Sequence, residues 1–275
     1  MFNGKAIYNP SGKAGEYAVW ACNYYTGCSN DCAYCYCKKG ILSSVMGHNA
    51  ATMKRCFRNE EHAFDVFRKE VSENEQLIRE QHGVFFSFTT DPLLPETSRL
   101  TLLSVAFLGE KQIPSHVLTK CTGWATEENL SNLHKYKECL AIGFTLTGHD
   151  ELEPHAASNS ERIRLMEKLY GMGFRLFASI EPVIDVDSSV SMVEAAAPYC
   201  ELFKIGLLSG KTKYERGKLL ELIIETRRIA KSFGRKVYWK NSVKNQIDAT
   251  TALLLMTPGL DSRDDYSVDA SYSIV

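Results

Sequence analysis

Three cysteines within eight residues, Cys28, Cys32 and Cys35, constrain this 275-residue chain more than any other feature. They stand in Thr26-Gly27-Cys28-Ser29-Asn30-Asp31-Cys32-Ala33-Tyr34-Cys35-Tyr36-Cys37, a C-x-x-x-C-x-x-C triplet with a fourth cysteine two places on. Free cysteines often serve as small buried hydrophobes, but this polar Gly/Ser/Asn/Asp setting does not look like core. Thiolates so close together suit soft metals. Three can wrap three corners of a cubane iron–sulfur cluster and leave one iron open to a small molecule. With Cys37 added, four could instead close a structural zinc site. Zinc sites usually pair two separated short-spaced knuckles, and no second knuckle follows downstream.

The rest of the chain is ordinary for a globular protein. It is 44% hydrophobic and 24% charged, with a formal net charge of −1, which suits one large α/β domain and argues against overall disorder. No apolar run approaches the length of a membrane span, and the N-terminus lacks a charged-then-apolar leader pattern. Nine cysteines, an odd number, point with this to a reducing cytoplasm and thiol chemistry rather than disulfides. The five outside the motif, Cys22, Cys56, Cys121, Cys139 and Cys200, lack auxiliary-cluster spacing, and no histidine set has metal-ligand spacing.

Residues 1–15 read as an irregular lead-in, 16–240 as the main domain and 241–275 as a C-terminal extension ending in a Ser/Asp/Tyr-rich tail. Glu16 to Tyr24 is a strand candidate that feeds the cysteine loop. A long helical pattern covers 59–81 and stops at Gly83. Strand candidates at 84–88, 115–119, 139–146, 174–180, 202–205 and 236–239 then alternate with helical ones at 97–108, 126–136, 160–170, 188–197 and 214–233. Such alternation implies right-handed βαβ units and a parallel sheet.

The cysteine spacing, with an aromatic before the last cysteine, resembles the radical S-adenosylmethionine (SAM) superfamily. Further elements resemble its spore photoproduct lyase-like branch: Thr90-Asp91-Pro92 running on to Pro95-Glu96, Thr119-Lys120 ending a strand, Leu152-Glu153-Pro154 followed by Glu161-Arg162-Ile163, and Ile180-Glu181-Pro182-Val183-Ile184. The resemblance runs from about residue 20 to 206. It implies a partial, open (β/α)6 TIM-type barrel with its chemistry at the C-terminal strand ends. It also implies a [4Fe–4S] cluster on Cys28, Cys32 and Cys35, and SAM cleaved reductively to a 5′-deoxyadenosyl radical that takes a substrate hydrogen. A flavodoxin- or ferredoxin-type electron donor follows from the same resemblance.

By the same resemblance Tyr34 lies near the SAM adenine, Thr89, Thr90 and Asp91 meet the methionine amino group, and Lys120 pairs with the methionine carboxylate. Thr145 and Thr147 match the position that hydrogen-bonds the ribose, while Ser179, Glu181 and Lys204 to Gly206 finish the pocket. Each has a blander reading: Thr89 and Thr90 as turn formers before Asp91-Pro92, Lys120 as a solvated charge, Glu153 as a local cap. One departure stands out. Where spore photoproduct lyases carry a cysteine that returns hydrogen to the product radical, this chain has Phe88, so the scaffold is expected without that reaction. Cys121, one place past Lys120, is the remaining candidate hydrogen donor.

Residues 211–244 hold eleven Lys/Arg and three Glu, interleaved with Tyr238 and Trp239. Such density could attract a nucleotide or nucleic acid, although a solvated helix face balanced by acidic surface elsewhere explains it as simply. The competing function is therefore a zinc- or cluster-stabilised nucleic-acid-binding protein without catalysis.

Overall fold

A computed structural model describes residues 1–210 and 213–247; the rest of the C-terminal extension, 248–275, lies outside the described residues. The alternation is realised as one eight-stranded sheet. Its strands are β1 (Ile7–Tyr8), β2 (Trp20–Cys22), β5 (Val84–Phe86), β6 (Ser115–Thr119), β7 (Leu140–Thr145), β8 (Arg175–Val183), β9 (Leu202–Leu207) and β10 (Lys236–Trp239). From β2 onward neighbours are parallel and follow chain order, while β1 runs antiparallel on the β2 edge. The two ends of the sheet, β1 and β10, are not paired to each other, so the barrel is open. β2 and β5 to β9 supply the six expected parallel strands, and β10 adds a seventh. A separate ribbon, β3 (Tyr25–Thr26) with β4 (Thr52–Met53), flanks the cysteine loop.

The outer layer is α2 (Glu60–Glu73), α3 (Glu75–Glu80), α4 (Ser98–Glu110), α5 (Glu127–His134), α6 (Asn159–Gly171), α7 (Val186–Ala196) and α8 (Arg216–Ser232); the short α1 (Ser43–Met46) and α9 (Asn241–Lys244) lie at the loop and after β10. Their starts are chemically marked. Asn59, Thr126 and Asp185 accept the orphan N–H groups of the first turn, and Ser158 with Glu161 forms a reciprocal capping box. The 59–81 pattern is two helices, not one. At Asn74 the backbone leaves the helix (φ −121°, ψ 14°) while the side-chain Nδ2 donates to Glu70 O at 2.8 Å, an Asn bonding local backbone in competition with the helix.

Buried on both faces, the parallel strands read as apolar runs. Val84, Phe86, Ile142, Phe144, Leu176 and Phe203 pack in one large cluster with helix residues such as Phe67, Leu108, Leu169 and Leu222. The alternate residues Phe85, Ala141, Phe177 and Leu202 form a second cluster with Tyr17 and Ala18. The lead-in supplies β1, which pairs with β2. The strand expected over 16–24 is only three residues long, because Gly12–Glu16 forms a 3-10 turn and Tyr17 and Ala18 pack on the inner side chains instead of joining the sheet.

Gly143, in register between Ala141 and Thr145, leaves room for the Phe177 ring: a Cβ there would lie 2.1 Å from Phe177 Cζ. Gly143→Ala should therefore lose about 1–3 kcal/mol in urea unfolding through overpacking. Gly123→Ala, with nothing within 4 Å of the added carbon, is the control. Equal stability of the two variants would contradict the packing described.

Candidate functional site

The cysteine loop leaves β3 through Gly27, whose φ of +80° and close approach to Ala50 O (2.3 Å from an added Cβ) leave no room for a side chain. The loop is then tied to several strand ends. Cys28 N–H donates to His48 O (3.0 Å), and Ala33 N–H to Leu152 O (2.9 Å). Ser29 Oγ donates to Glu96 (2.8 Å), Asn30 Nδ2 to Asp91 Oδ2 (2.9 Å), and the Tyr34 hydroxyl to Glu153.

Two buried carboxylates do most of this work. Asp91, 8% exposed, accepts from Leu93 N–H (3.0 Å) and Thr119 Oγ1 (2.7 Å) on one oxygen, and from Asn30 Nδ2 (2.9 Å) and Lys120 N–H (2.7 Å) on the other. Four donors match the acceptor capacity of a carboxylate. Asp91 therefore clamps β5, β6 and the cysteine loop together, and its oxygens face protein donors rather than a ligand amino group. Glu153 has a fully buried side chain. One oxygen accepts from Tyr34 and lies 4.0 Å from Lys120 Nζ; the other accepts from Arg162 NH2 at 2.6 Å, while Arg162 NH1 reaches Thr145 O at 2.8 Å. The Leu152-Glu153-Pro154 and Glu161-Arg162-Ile163 elements thus meet behind the cysteine loop.

These elements enclose a cavity of about 500 Å3 at the C-terminal strand ends, within the usual range for small-molecule sites. Cys28, Cys32, Cys35 and Cys37 all line it, as do Tyr34, Thr89, Thr90, Asp91, Lys120, Thr145, Ser179 and Glu181. Thr147, Lys204, Gly206 and Cys121 do not. Thr147 is fully buried in the loop after β7, accepting from His149 N–H at 3.2 Å. Lys204 Nζ sits over the Tyr17 and Phe177 rings at 4.9 and 5.1 Å. Gly206 makes room for Glu181, whose Cδ would be 2.6 Å from an added Cβ. The Cys121 thiol contacts Asn30 Oδ1 (3.6 Å), under the loop.

Several donors fit the implied cofactors. Thr90 Oγ1 is buried and has no hydrogen-bond partner among the described residues. A hydroxyl left so beside a cavity suits a polar ligand there. Thr89 differs, since its Oγ1 donates to Tyr25 O (2.5 Å). Lys120 Nζ lies 5.5 Å from the Tyr34 ring centre. Burial opposes its ammonium, but the fields of Tyr34, Cys32 and Glu153 hold its pKa well above the usual lysine value. A hydrogen bond from the Cys37 thiol, itself 3.8 Å from Phe88 O, lowers Cys35 to about 6 against burial. Cys28 is pushed up to about 12, chiefly by burial, and Cys32 also rises; a coordinated metal reverses such shifts by holding the thiolate. No three His, Cys, Asp or Glu side chains converge as ligands of a single ion among the described residues. A cubane asks for something else, three thiolates facing one space and each binding its own iron.

The opposite wall joins the expected Ser179 and Glu181 to two residues the sequence did not single out, Tyr17 and Lys240. Tyr17 donates to Glu181 (2.5 Å) and bonds Ser179 Oγ (2.9 Å), and Lys240 Nζ grips both Glu181 oxygens (2.9 and 2.8 Å) from 4.3 Å over the Tyr17 ring. Phe88 stacks on Phe85 with centroids 4.6 Å apart. Lys240 had a signal, its place one residue past the last strand; Tyr17, at the start of the strand candidate over 16–24, had none.

A partial, open parallel barrel with a three-cysteine loop at its C-terminal end has the radical SAM fold. The same fold is found in spore photoproduct lyase complexed with dinucleoside spore photoproduct: TM-score 0.60, 15% identity, covering 81% of this chain and 77% of that one. A variant of that lyase with bound AdoMet and the same dinucleoside gives the same values. Streptococcus suis SuiB bound to S-adenosylmethionine matches with a TM-score of 0.53 and 12% identity, over 78% of this chain and 50% of that one. No protein-family model and no curated protein matches the sequence. At these identities the likeness carries the fold.

The Glu153–Arg162 pair gives a direct test of how the loop is held. Arg162→Met leaves a buried carboxylate without its main partner and should cost about 3–5 kcal/mol in denaturant unfolding. The double variant Glu153→Leu/Arg162→Met should recover at least half of that loss. A double variant as unstable as the single one would contradict the pairing.

Proposed function

We propose that this protein is a radical SAM enzyme holding one [4Fe–4S] cluster on Cys28, Cys32 and Cys35. The observation that carries the reading is that all three cysteines of the C-x-x-x-C-x-x-C loop line one cavity at the C-terminal end of a partial parallel barrel. When bound, the cluster and SAM supply a 5′-deoxyadenosyl radical. The chain's own residues bind and orient around it. Lys120, fixed by Glu153 and Tyr34, offers a cation to the methionine carboxylate, and a flexible ammonium at a strand tip suits that task. Thr90 Oγ1 is a free hydroxyl for the amino-acid end, while Thr145 and Ser179 face the cavity from the inward register of β7 and β8. Phe85, Phe88, Leu118, Leu207 and Leu208 give the cavity apolar walls, which exclude water from a reactive intermediate.

One neighbour is complexed with a dinucleoside photoproduct and SuiB with a precursor peptide, so one fold serves different partners. A nucleotide or nucleic acid remains compatible with the basic stretch. On α8, however, Lys218 pairs with Asp187 and Glu221 and Arg228 with Glu225, and beyond β10 Lys240 is buried on Glu181. A zinc site asks for ligands that converge on one ion, and among the described residues no three His, Cys, Asp or Glu side chains do so. A reducing cytoplasm and a flavodoxin- or ferredoxin-type donor belong to the same reading.

Two outcomes are expected. Reconstituted, dithionite-reduced protein should convert SAM to 5′-deoxyadenosine. Replacing Cys28, Cys32 and Cys35 together with Ala should abolish both iron binding and cleavage, whereas Cys37→Ala should keep the cluster. Cleavage by the triple variant would contradict the ligand set. Second, the protein should not repair spore photoproduct dinucleotide. A phenyl ring at position 88 has no weak X–H bond to give up, and Cys121 lies outside the cavity. Catalytic return of thymines would overturn that half of the reading.

A further inference from the structure

We propose that the part of the cavity bounded by Lys13, Tyr17, Phe88, Leu207 and Leu208 holds the substrate, and that it selects a small aromatic acid, with the ring on the apolar wall and the anionic group at Lys13. The inference rests on the function proposed above, and it adds the class of substrate that the same cavity takes.

Charge is the first observation. Four lysines line the cavity, Lys13, Lys38, Lys120 and Lys240. Three of them face a carboxylate: Lys38 pairs with Asp31, Lys120 lies 4.0 Å from Glu153, and Lys240 lies 2.8 Å from Glu181. The remaining acid on the wall, Asp91, already accepts four donors. Of the four lysines only Lys13 has no carboxylate within 4.0 Å among the described residues; its Nζ donates to a neutral group, Ser209 Oγ, at 3.0 Å. Lys13 is exposed, so this unmatched cation stands at the rim. An ammonium so placed makes a charge-assisted hydrogen bond to an anionic group that enters beside it.

Shape is the second observation. The chain from Ser11 to Tyr17 crosses to the far edge of the sheet. Besides the Lys13–Ser209 bond, Glu16 Oε1 accepts from Asn241 N–H (2.8 Å) and from the Tyr238 hydroxyl (3.4 Å), and Tyr17 bonds Ser179 and Glu181. The stretch that leads into β2 is thereby fastened to β8, to β10 and to the segment after β9, on the side where β1 and β10 leave the sheet unpaired. A nucleic-acid duplex or folded partner laid against that side meets this stretch before it meets the cavity. The space of about 500 Å3 is also shared with the cofactors, so what is left suits a small molecule.

The wall itself is the third observation. Phe85, Phe88, Tyr17, Leu207 and Leu208 all line the cavity. Phe88, half-buried, stacks on Phe85 with centroids 4.6 Å apart at 12°, and meets Tyr17 edge-on at 6.0 Å. A further ring joins such a group at centroid distances of about 4.5–7 Å and gains more than its area burial alone. Ring and charge together define the ligand: an aromatic body for Phe88 and its neighbours, and an anion for Lys13.

The test uses reconstituted full-length protein loaded with SAM and follows binding by titration calorimetry. The probes are 3-phenylpropionate and phenyl phosphate, which differ in the source of the charge; 3-phenylpropionamide, which keeps the ring without the charge; and propionate, which keeps the charge without the ring. At least one of the two aromatic anions should bind, at least about tenfold more tightly than the amide and than propionate. The preference over the amide should vanish in Lys13→Met, and affinity for the aromatic anion should fall several-fold in Phe88→Leu. Lys39→Met, exposed and outside the cavity, should bind the probes as the wild type does. No binding of either aromatic anion, an amide that binds as well as they do, or an anion preference that survives Lys13→Met would overturn this assignment alone. So would tight binding of a thymidine oligonucleotide, unaltered in Lys13→Met, in place of the acids. Wild-type protein that forms no 5′-deoxyadenosine with dithionite would overturn the underlying function, and with it the claim that the bound acid is a substrate.

Discussion

The buried Glu153 carboxylate is the interaction on which the site depends. Its side chain is fully buried, Arg162 holds it from behind, and Tyr34 and Lys120 meet it from the cavity side. A carboxylate in that place is costly unless every oxygen is matched, and here the match joins three parts of the chain far apart in sequence. Asp91 repeats the arrangement on the other flank with four donors, from the cysteine loop, from Leu93 in its own segment after β5, and from the end of β6. A loop of polar residues and thiols has little apolar surface with which to hold its own shape. These two carboxylates fix it from both sides, with its cysteines lining one cavity.

The barrel divides its interior by strand position. Low on the strands the inward residues are Phe85, Ala141, Phe177 and Leu202, packed with Tyr17 into a dry floor. Two to four residues further along, the same register carries Thr145, Ser179, Glu181, Lys204 and Gly206, so polarity rises toward the C-terminal ends where the cavity opens. Period-two alternation of side chains is the cause. Tyr17 joins the two levels, with its ring on the floor and its hydroxyl on Ser179 and Glu181. Lys240, arriving after β10, completes the wall through Glu181.

What could be read in the sequence is what is local or periodic. The cysteine spacing, the strand–helix alternation and the caps at Asn59, Thr126 and Ser158 are encoded within a few residues of where they act. Strand-end residues such as Thr145, Ser179 and Glu181 follow from period two once a strand is placed. The role of Asp91 could not be read that way, because its four donors come from residues 30, 93, 119 and 120. Lys204 sits on the inward register yet is screened from the cavity by aromatic rings, which register alone does not reveal. Tyr17 was illegible for a similar reason: it bonds a residue 162 positions away. The split at Asn74 turned on one amide bonding its own backbone.

On the proposed function, the three thiolates held in place by these carboxylates would carry a [4Fe–4S] cluster that also binds SAM. Electron paramagnetic resonance of the anaerobically reconstituted, reduced protein tests it most directly. About four irons per chain, a reduced-cluster signal, and a clear change in that signal when SAM is added are expected. Protein that takes up zinc in place of iron, or a cluster signal that SAM leaves unchanged, would contradict it.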